Sequence, residues 1–232
     1  MTAFVLLPGL DGTGRLMHGF VVALGSDAEV QIVSYPTDRV LGYADLVAFV
    51  RNRLPRHHPY ILVAESFSGP VGWALAASRP RGLVGLVLCA SFVSTPFPAL
   101  RRLSFLLRLA PVRTLPAAAL AVLLLGRWSS AERVGAIRAV LQSVSPAVLR
   151  ARAQAALSCV RVESLDRVEV PVLYLRATED RLVPRSASQH LQQAIPSVTV
   201  TTIEGPHFLL QAVPSACAAA IHSFMRSVAP ES

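Results

Sequence analysis

The 232-residue chain lacks features that several classes of protein require. Its three cysteines, Cys89, Cys159 and Cys217, are odd in number and show no CxxC spacing, which indicates buried free thiols in a reducing compartment. The longest apolar run, at 115–125, is shorter than the roughly 20 residues of a membrane-spanning helix. No signal peptide precedes the first strand-like run, which begins at Thr2. We therefore expect a cytoplasmic, single-domain protein without a transmembrane segment, metal ion or cofactor.

Positive charge is concentrated in one part of the chain. Lysine is absent, so all 22 basic residues are arginine. Eleven of these arginines, but only three of the 14 acidic residues, lie within 92–167, which therefore carries the whole net charge of +8. We expect these arginines to face outward, where a positive field raises the encounter rate with an anionic partner. Nucleic acid is not expected, because the arginines are mixed with Leu and Ala rather than with stacking aromatics.

Strand-like and helix-like segments alternate along the chain. Several apolar runs are continuous, which is typical of strands buried on both faces of a parallel sheet. The pattern predicts an α/β fold with a mostly parallel six-stranded sheet and helices on both faces. The predicted strands are 3–7, 29–34, 60–64, 83–90, 170–177 and 198–203, and the predicted helices are 44–54, 70–79, 185–195 and 208–228, the last kinked or restarted at Pro214.

One segment interrupts this alternation. Residues 92–167 contain no convincing strand, and prolines divide them into several short helices. An all-helical insertion between two strands of a parallel sheet lies at one end of that sheet. We therefore predict a core of 1–91 and 168–232 with a helical cap, or lid, at 92–167.

A serine stands where a buried strand turns abruptly into a helix. Residues 59–69 read PYILVAESFSG, which places Ser66 between a predicted strand and a predicted helix. A nucleophile elbow needs small residues two positions before and after the nucleophile; here they are Ala64 and Ser68, where Gly is more usual. The pattern predicts Ser66 as a nucleophile and the N–H of Phe67 as an oxyanion donor. A serine that merely lies in a loop is the alternative.

A glycine-rich turn follows the first predicted strand. Residues 7–14 read LPGLDGTG. Such a turn can supply a second oxyanion donor, for which the backbone N–H of Leu10 is the candidate. An ordinary tight turn in which Asp11 holds the loop is the other interpretation, and both can be true.

Two further segments follow late strands. In TEDRLVP at 178–184, Asp180 stands where it can reach back to orient a histidine; Glu179 is the alternative, and Asp180 could also cap a helix or pair with a nearby arginine. In EGPHF at 204–208, His207 is the only one of six histidines on a Gly-Pro loop after a strand. The resulting chain order of Ser66, Asp180 and His207 is that of α/β hydrolases.

Over its whole length the sequence resembles the α/β-hydrolase family. The resemblance rests on LPGLDGTG, AESFSG, TEDRLVP and EGPHF, and it implies the minimal form of that fold. It implies acyl transfer to Ser66 and then to water, with His207 as general base and then acid and Asp180 as its orienter. It also implies an oxyanion hole from Leu10 and Phe67, and substrate contacts from these two residues, Ser66 and His207.

The resemblance also excludes some members of that family. A serine at the elbow argues against dehalogenases and epoxide hydrolases, which use Asp. The absence of lysine argues against hydroxynitrile lyases, which use one. Pro8 stands where many members carry His, which leaves the oxyanion backbone intact but removes a common support.

The segment 92–167 bears on the substrate. Its apolar runs at 104–112 and 119–126 either line a pocket for an acyl chain or pack the cap on the body. The sequence is similar in size, layout and motifs to the pimeloyl-acyl-carrier-protein methyl ester esterases of biotin synthesis. That resemblance implies a serine carboxylesterase with an acidic acyl carrier protein as partner, for which the candidate contacts are Arg101, Arg102, Arg133 and Arg138. Anionic lipid and a plain solvated face are the alternatives.

Other functions are compatible with the same fold. An acyltransferase is one, because LPGLDGTG resembles the corresponding loop of plant plastid ester synthases, and a thioesterase is another. A non-enzymatic ligand binder is disfavoured by the complete set of three residues. We expect a monomer.

Overall fold

A six-stranded sheet forms the centre of the protein, in a computed structural model that describes residues 2–109, 116–160 and 167–228. All five neighbouring pairs of strands are parallel, in the order β2-β1-β3-β4-β5-β6. The predicted α/β architecture is therefore confirmed. The strands are β1 (Ala3–Leu7), β2 (Val30–Ile32), β3 (Tyr60–Glu65), β4 (Leu83–Cys89), β5 (Val172–Glu179) and β6 (Thr199–Pro206).

Helices cover both faces of the sheet. The α-helices of the described residues are α1 (His18–Ala23), α2 (Tyr43–Arg51), α3 (Gly69–Ala77), α4 (Ala117–Leu125), α5 (Ala131–Gln142), α6 (Pro146–Ser158), α7 (Arg185–Ala194), α8 (Leu209–Ala212) and α9 (Pro214–Val228). On one face α3 and α7 bury side chains such as Trp73 and Leu191, and on the other α1 and α9 bury Phe20 and Ile221. The last helix restarts at Pro214, as predicted. No helix of the described residues is long and apolar enough to cross a membrane.

Between β4 and β5 the described chain is helical. Short 3-10 helices at Pro98–Leu109 and Gly126–Trp128 accompany α4 to α6, and no strand occurs in the described parts of 92–167. Backbone hydrogen bonds join this segment to residues that follow β6 and β2. The Phe208 N–H donates to the Leu124 carbonyl at 3.0 Å, and the Ser145 N–H donates to the Thr37 carbonyl at 2.8 Å. Part of the apolar run 104–112, and the charged residues Arg113, Arg161, Glu163 and Asp166, lie outside the described residues.

The arginines of this segment do not all face outward. Arg101, Arg102 and Arg138 are exposed. Arg133 is half-buried, and its guanidinium donates to the Trp128 carbonyl at 2.7 Å. Arg152 is only 3% exposed, so the expectation that the arginines lie on the surface is wrong for this residue. The reason is that Arg152 on α6 donates to three backbone carbonyls of the core.

Candidate active site

The strand order brings four chain segments to one edge of the sheet. The chain runs from β1 outward to β2 and then returns to β3 on the other side of β1, so the order reverses between β1 and β3. Ligand sites of open parallel sheets lie beyond the carboxyl ends of the strands at such a point. The glycine-rich turn follows β1, Ser66 follows β3, Asp180 follows β5 and His207 follows β6.

Ser66, His207 and Asp180 are joined by hydrogen bonds. The Ser66 Oγ lies 2.8 Å from His207 Nε2. His207 Nδ1 lies 2.9 Å from both carboxylate oxygens of Asp180. Because an ionised carboxylate only accepts, the proton is on Nδ1, and Nε2 is free to accept the Ser66 hydroxyl proton. His207 is 2% exposed whereas Ser66 is half-buried, so the hydroxyl is the accessible end of the chain of hydrogen bonds.

Strand register explains why Asp180 and His207 meet. Glu179 is paired with Pro206 across β5 and β6, so the next residues of the two strands stand side by side. Two backbone amides fix the carboxylate of Asp180: the N–H groups of Leu182 and Val183 donate to its Oδ1 at 2.8 and 2.7 Å. The neighbouring candidate, Glu179, forms an ion pair with Arg127 instead, at 3.0 Å.

Ser66 has the backbone conformation of an elbow. Its φ is +47°, a left-handed value that a residue with a side chain rarely adopts, and it lies in a 3-10 turn, Ser66–Ser68, between β3 and α3. The helix that follows packs closely behind it. A Cβ atom on Gly69 would lie 2.1 Å from Ser91 Oγ and 2.3 Å from the Phe92 carbonyl oxygen, so this position accepts only glycine.

Ser68 replaces the usual glycine and has a role of its own. It is fully buried, and its hydroxyl donates to the Pro8 carbonyl at 2.5 Å while lying 2.6 Å from the Tyr35 hydroxyl. Since the carbonyl can only accept, Tyr35 donates to Ser68. The hydroxyl of Ser68 thus joins the elbow to the glycine-rich turn.

The two predicted oxyanion donors belong to peptide groups whose carbonyl oxygens accept hydrogen bonds. The Ser66 carbonyl accepts from the Ser91 hydroxyl at 2.5 Å, and the Gly9 carbonyl accepts from the Gly12 N–H at 3.0 Å. In a trans peptide the N–H points opposite to the C=O. The N–H groups of Phe67 and Leu10 therefore point away from these partners. The alternative role of Asp11 also holds, because its Oδ1 accepts from the Thr13 N–H at 2.8 Å.

Sequence reasoning missed a buried acid beside the nucleophile. Glu65 is 4% exposed, and its Oε1 accepts from Gln211 Nε2 at 2.8 Å. The pKa of Glu65 is raised to about 7, chiefly by burial and also by the nearby Asp11, although hydrogen bonds from Gln211 and the Gly9 amide and the proximity of His207 partly oppose that rise. A charged residue at the end of an otherwise apolar strand was the available signal. Ser91 was also missed, although it follows β4 at the same edge.

The comparisons with known proteins agree with this fold. The chain is 28% identical over 243 residues to RutD of Caulobacter sp. (strain K31), a protein named as a carbamate hydrolase. The match covers 95% of this chain and 89% of that protein. Among solved structures, a hydrolase from Oleispira antarctica superimposes with a TM-score of 0.82 at 14% identity, over 97% of this chain and 91% of that one. A thermophilic esterase from Thermogutta terrifontis superimposes with a TM-score of 0.80 at 19% identity, over 98% and 90%.

The family assignment comes from a family model. The model of the family described as serine aminopeptidase, S33, matches residues 30–209, which is well over half of the chain. The match includes β3 with the elbow, the helical segment and Asp180 and His207. The chain therefore belongs to the serine aminopeptidase S33 family of α/β hydrolases.

Proposed function

We propose that the protein is a serine carboxylesterase that works through an acyl-Ser66 intermediate. The observation that carries this proposal is the chain of hydrogen bonds from Asp180 through His207 to a half-buried Ser66. A serine in that setting is activated by its neighbouring base. The similarity to an esterase structure supports ester cleavage as the reaction.

In the proposed mechanism each of these side chains has its own step. As Ser66 Oγ attacks the ester carbonyl, His207 Nε2 accepts its proton, and Asp180 stabilises the imidazolium that forms. The developing oxyanion is bound by the N–H groups of Leu10 and Phe67. His207 then returns the proton to the departing alcohol. Water then attacks the acyl carbonyl as His207 Nε2 accepts its proton, the bond from the acyl carbon to Ser66 Oγ breaks, and His207 returns the proton to Ser66 as the acid departs.

We take a neutral ester, rather than a substrate with a free amino terminus, as the proposed substrate. An aminopeptidase needs a negative group to bind the terminal ammonium. In the described structure Asp180 is engaged by His207, Glu65 by Gln211 and Asp11 by Thr13. The family name therefore does not fix the substrate, and amide and carbamate substrates belong in the assay as comparisons.

We further propose that 92–167 acts as a cap that receives the acyl group from an acidic carrier. Arg101, Arg102 and Arg138 are exposed on it, and Arg133 is half-buried. The 3-10 helix that carries Arg101 and Arg102 also exposes apolar side chains, which are Leu103, Phe105 and Leu106 at 51, 55 and 51%. Positive charge beside exposed apolar surface suits a carrier protein that bears a fatty acyl chain. Methyl pimeloyl-acyl-carrier protein is the substrate that this proposal names.

The first experiment is hydrolysis of p-nitrophenyl esters from acetate to octanoate, with p-nitroanilides and carbamates beside them. Ser66→Ala should reduce ester turnover by roughly 10⁴-fold or more, whereas the surface variant Ser26→Ala should match the wild type. A fluorophosphonate should label Ser66. Turnover that survives Ser66→Ala contradicts the mechanism, and faster cleavage of anilides or carbamates would replace the ester assignment. An added alcohol that captures the acyl group would indicate a transferase.

The second experiment tests the carrier. With methyl pimeloyl-acyl-carrier protein, the double variant Arg101→Glu/Arg102→Glu should lose at least about tenfold in kcat/KM. With a p-nitrophenyl ester it should match the wild type. Added salt should reduce kcat/KM for the carrier substrate only. Equal kcat/KM for variant and wild type on the carrier substrate would contradict carrier docking at this surface.

A further inference from the structure

A buried arginine links the helical segment to the glycine-rich turn. Arg152 lies on α6 and is 3% exposed. Its Nη1 donates to the carbonyls of Leu10 and Asp11 at 3.1 and 2.6 Å, and its Nη2 donates to the Pro36 carbonyl at 2.8 Å. Among the described residues no carboxylate lies within ion-pair distance of it; its hydrogen bonds go to these backbone oxygens, and its guanidinium carbon lies 5.5 Å from the centre of the Tyr35 ring.

The turn is shaped to receive this guanidinium. Gly12 has a φ of +73°, and a Cβ atom there would lie 2.3 Å from Arg152 Nη1. Leu10 is also held through its side chain, which packs against the cluster of Val148 and Leu149 on α6. The helix therefore contacts Leu10 at both its side chain and its carbonyl.

These contacts act on the peptides that flank the proposed oxyanion donor. The Gly9 carbonyl, which precedes the Leu10 N–H, accepts from Gly12. The Leu10 carbonyl, which follows it, accepts from Arg152. With both neighbouring carbonyls fixed, the rotation that would turn the Leu10 N–H away is opposed. We propose that Arg152 is a positioning residue that holds the Leu10 amide in the oxyanion hole, an inference that rests on the proposed function.

Arginine is required by the geometry of its partners. The three carbonyls belong to two loops, around residues 10 and 36, and a planar guanidinium presents several N–H donors in fixed directions to both. A lysine ammonium is a single point at the end of a flexible chain. It can reach one carbonyl oxygen but cannot join the two loops with separate donors in fixed directions.

The test compares Arg152→Lys and Arg152→Ala with two arginine controls. Arg53→Ala removes an exposed arginine whose guanidinium likewise donates to a carbonyl, that of Phe49 at 2.7 Å. Arg127→Ala removes the ion pairs of the helical segment with Glu179 and Glu204 without touching the turn. Thermal unfolding of each variant gives the folded fraction at the assay temperature.

On the best p-nitrophenyl ester, Arg152→Ala should lower kcat by about 10²-fold while KM changes little, because a misplaced oxyanion donor acts on the transition state. A boronic acid, whose adduct with Ser66 mimics that state, should lose affinity in parallel, whereas the carboxylate product should not. Millimolar guanidinium should restore part of kcat to Arg152→Ala. Arg152→Lys should remain impaired, and both controls should keep kcat.

Several results would overturn the inference. One is a kcat of Arg152→Ala within twofold of the wild type. Another is an equal loss of kcat in Arg152→Ala and Arg127→Ala, which would assign the effect to docking of the whole helical segment. If the wild type hydrolyses no ester, the labelling rate of Ser66 by a fluorophosphonate replaces kcat: slower labelling of Arg152→Ala supports the inference although the esterase proposal fails, and equal labelling overturns it.

Discussion

The sheet and the helical segment between β4 and β5 position functional groups by different physical means. In the sheet, backbone pairing between strands fixes the positions of the functional groups. The Glu179–Pro206 pair places Asp180 beside His207, and the strand order places the β1 turn beside Ser66. In the helical segment a single side chain reaches the backbone of a turn 142 residues away in the sequence, as Arg152 does at Leu10. In the proposed mechanism the sheet therefore supplies the reacting groups, and the helical segment holds one of the peptides beside them.

The largest effect should come from breaking what the sheet positions. Asp180→Asn places an amide against His207 Nδ1, which favours the wrong tautomer and should lower kcat by about 10³–10⁴-fold. Glu179→Gln is the matched control, because this adjacent acid pairs with Arg127 and not with the histidine. Initial rates over a range of ester concentrations compare the two variants. A loss of activity in Glu179→Gln equal to that in Asp180→Asn would show that the wrong acid was assigned.

A smaller effect should come from separating the elbow from its supporting strand end. Gly69→Ala inserts a Cβ atom 2.1 Å from Ser91 Oγ and 2.3 Å from the Phe92 carbonyl oxygen, so backbone must move. We expect the free energy of unfolding to fall by about 3 kcal/mol. Gly19→Ala in α1 meets no atom within 4 Å and should instead raise the free energy of unfolding, by about 0.5–1 kcal/mol.

Denaturant unfolding measures both glycine variants. If Gly69→Ala unfolds at the wild-type denaturant concentration, α3 can shift away from Ser91 without cost. The close packing behind the elbow would then not be what holds Ser66 in its left-handed conformation.

The contrast between the two regions also explains what the sequence could predict. Apolar runs located all six strands, and Pro214 correctly marked a helix restart. The prediction ended β5 at 177, whereas the strand continues to Glu179. The reason is that apolar patterning detects burial but not backbone pairing, and the polar residues 178 and 179 remain part of the strand.

The burial of Arg152 could not have been predicted in this way. Its position on α6 resembles that of the other arginines of the segment, and α6 has polar and apolar residues around its whole circumference. Its partners are carbonyl oxygens, which every residue has, so no residue type in the β1 turn signals the contact. Only the docking of α6 on that turn reveals it.

An effect smaller than that of Gly69→Ala should come from Glu65, the buried acid at the end of β3, and it depends on pH. The pKa of Glu65 is raised to about 7 in the folded protein from 4.5, chiefly by burial. Between pH 4.5 and about 7, the folded state therefore keeps a proton on Glu65 that the unfolded chain releases. This contribution to stability is complete below pH 4.5 and is lost as pH rises through about 7. Between pH 5.5 and 8 the loss should be about 2 kcal/mol.

Glu65→Gln should remove this dependence, because the amide stays neutral at every pH and can still accept from Gln211. Unfolding free energies at pH 5.5, 7 and 8 should therefore fall less steeply for Glu65→Gln than for the wild type, and the variant should gain relative stability at the highest pH. The exposed variant Glu132→Gln should keep the wild-type slope. Parallel curves for Glu65→Gln and the wild type would mean that the strand end tolerates the ionised carboxylate. The sheet would then be polar enough at this edge to solvate a charge directly beside Ser66.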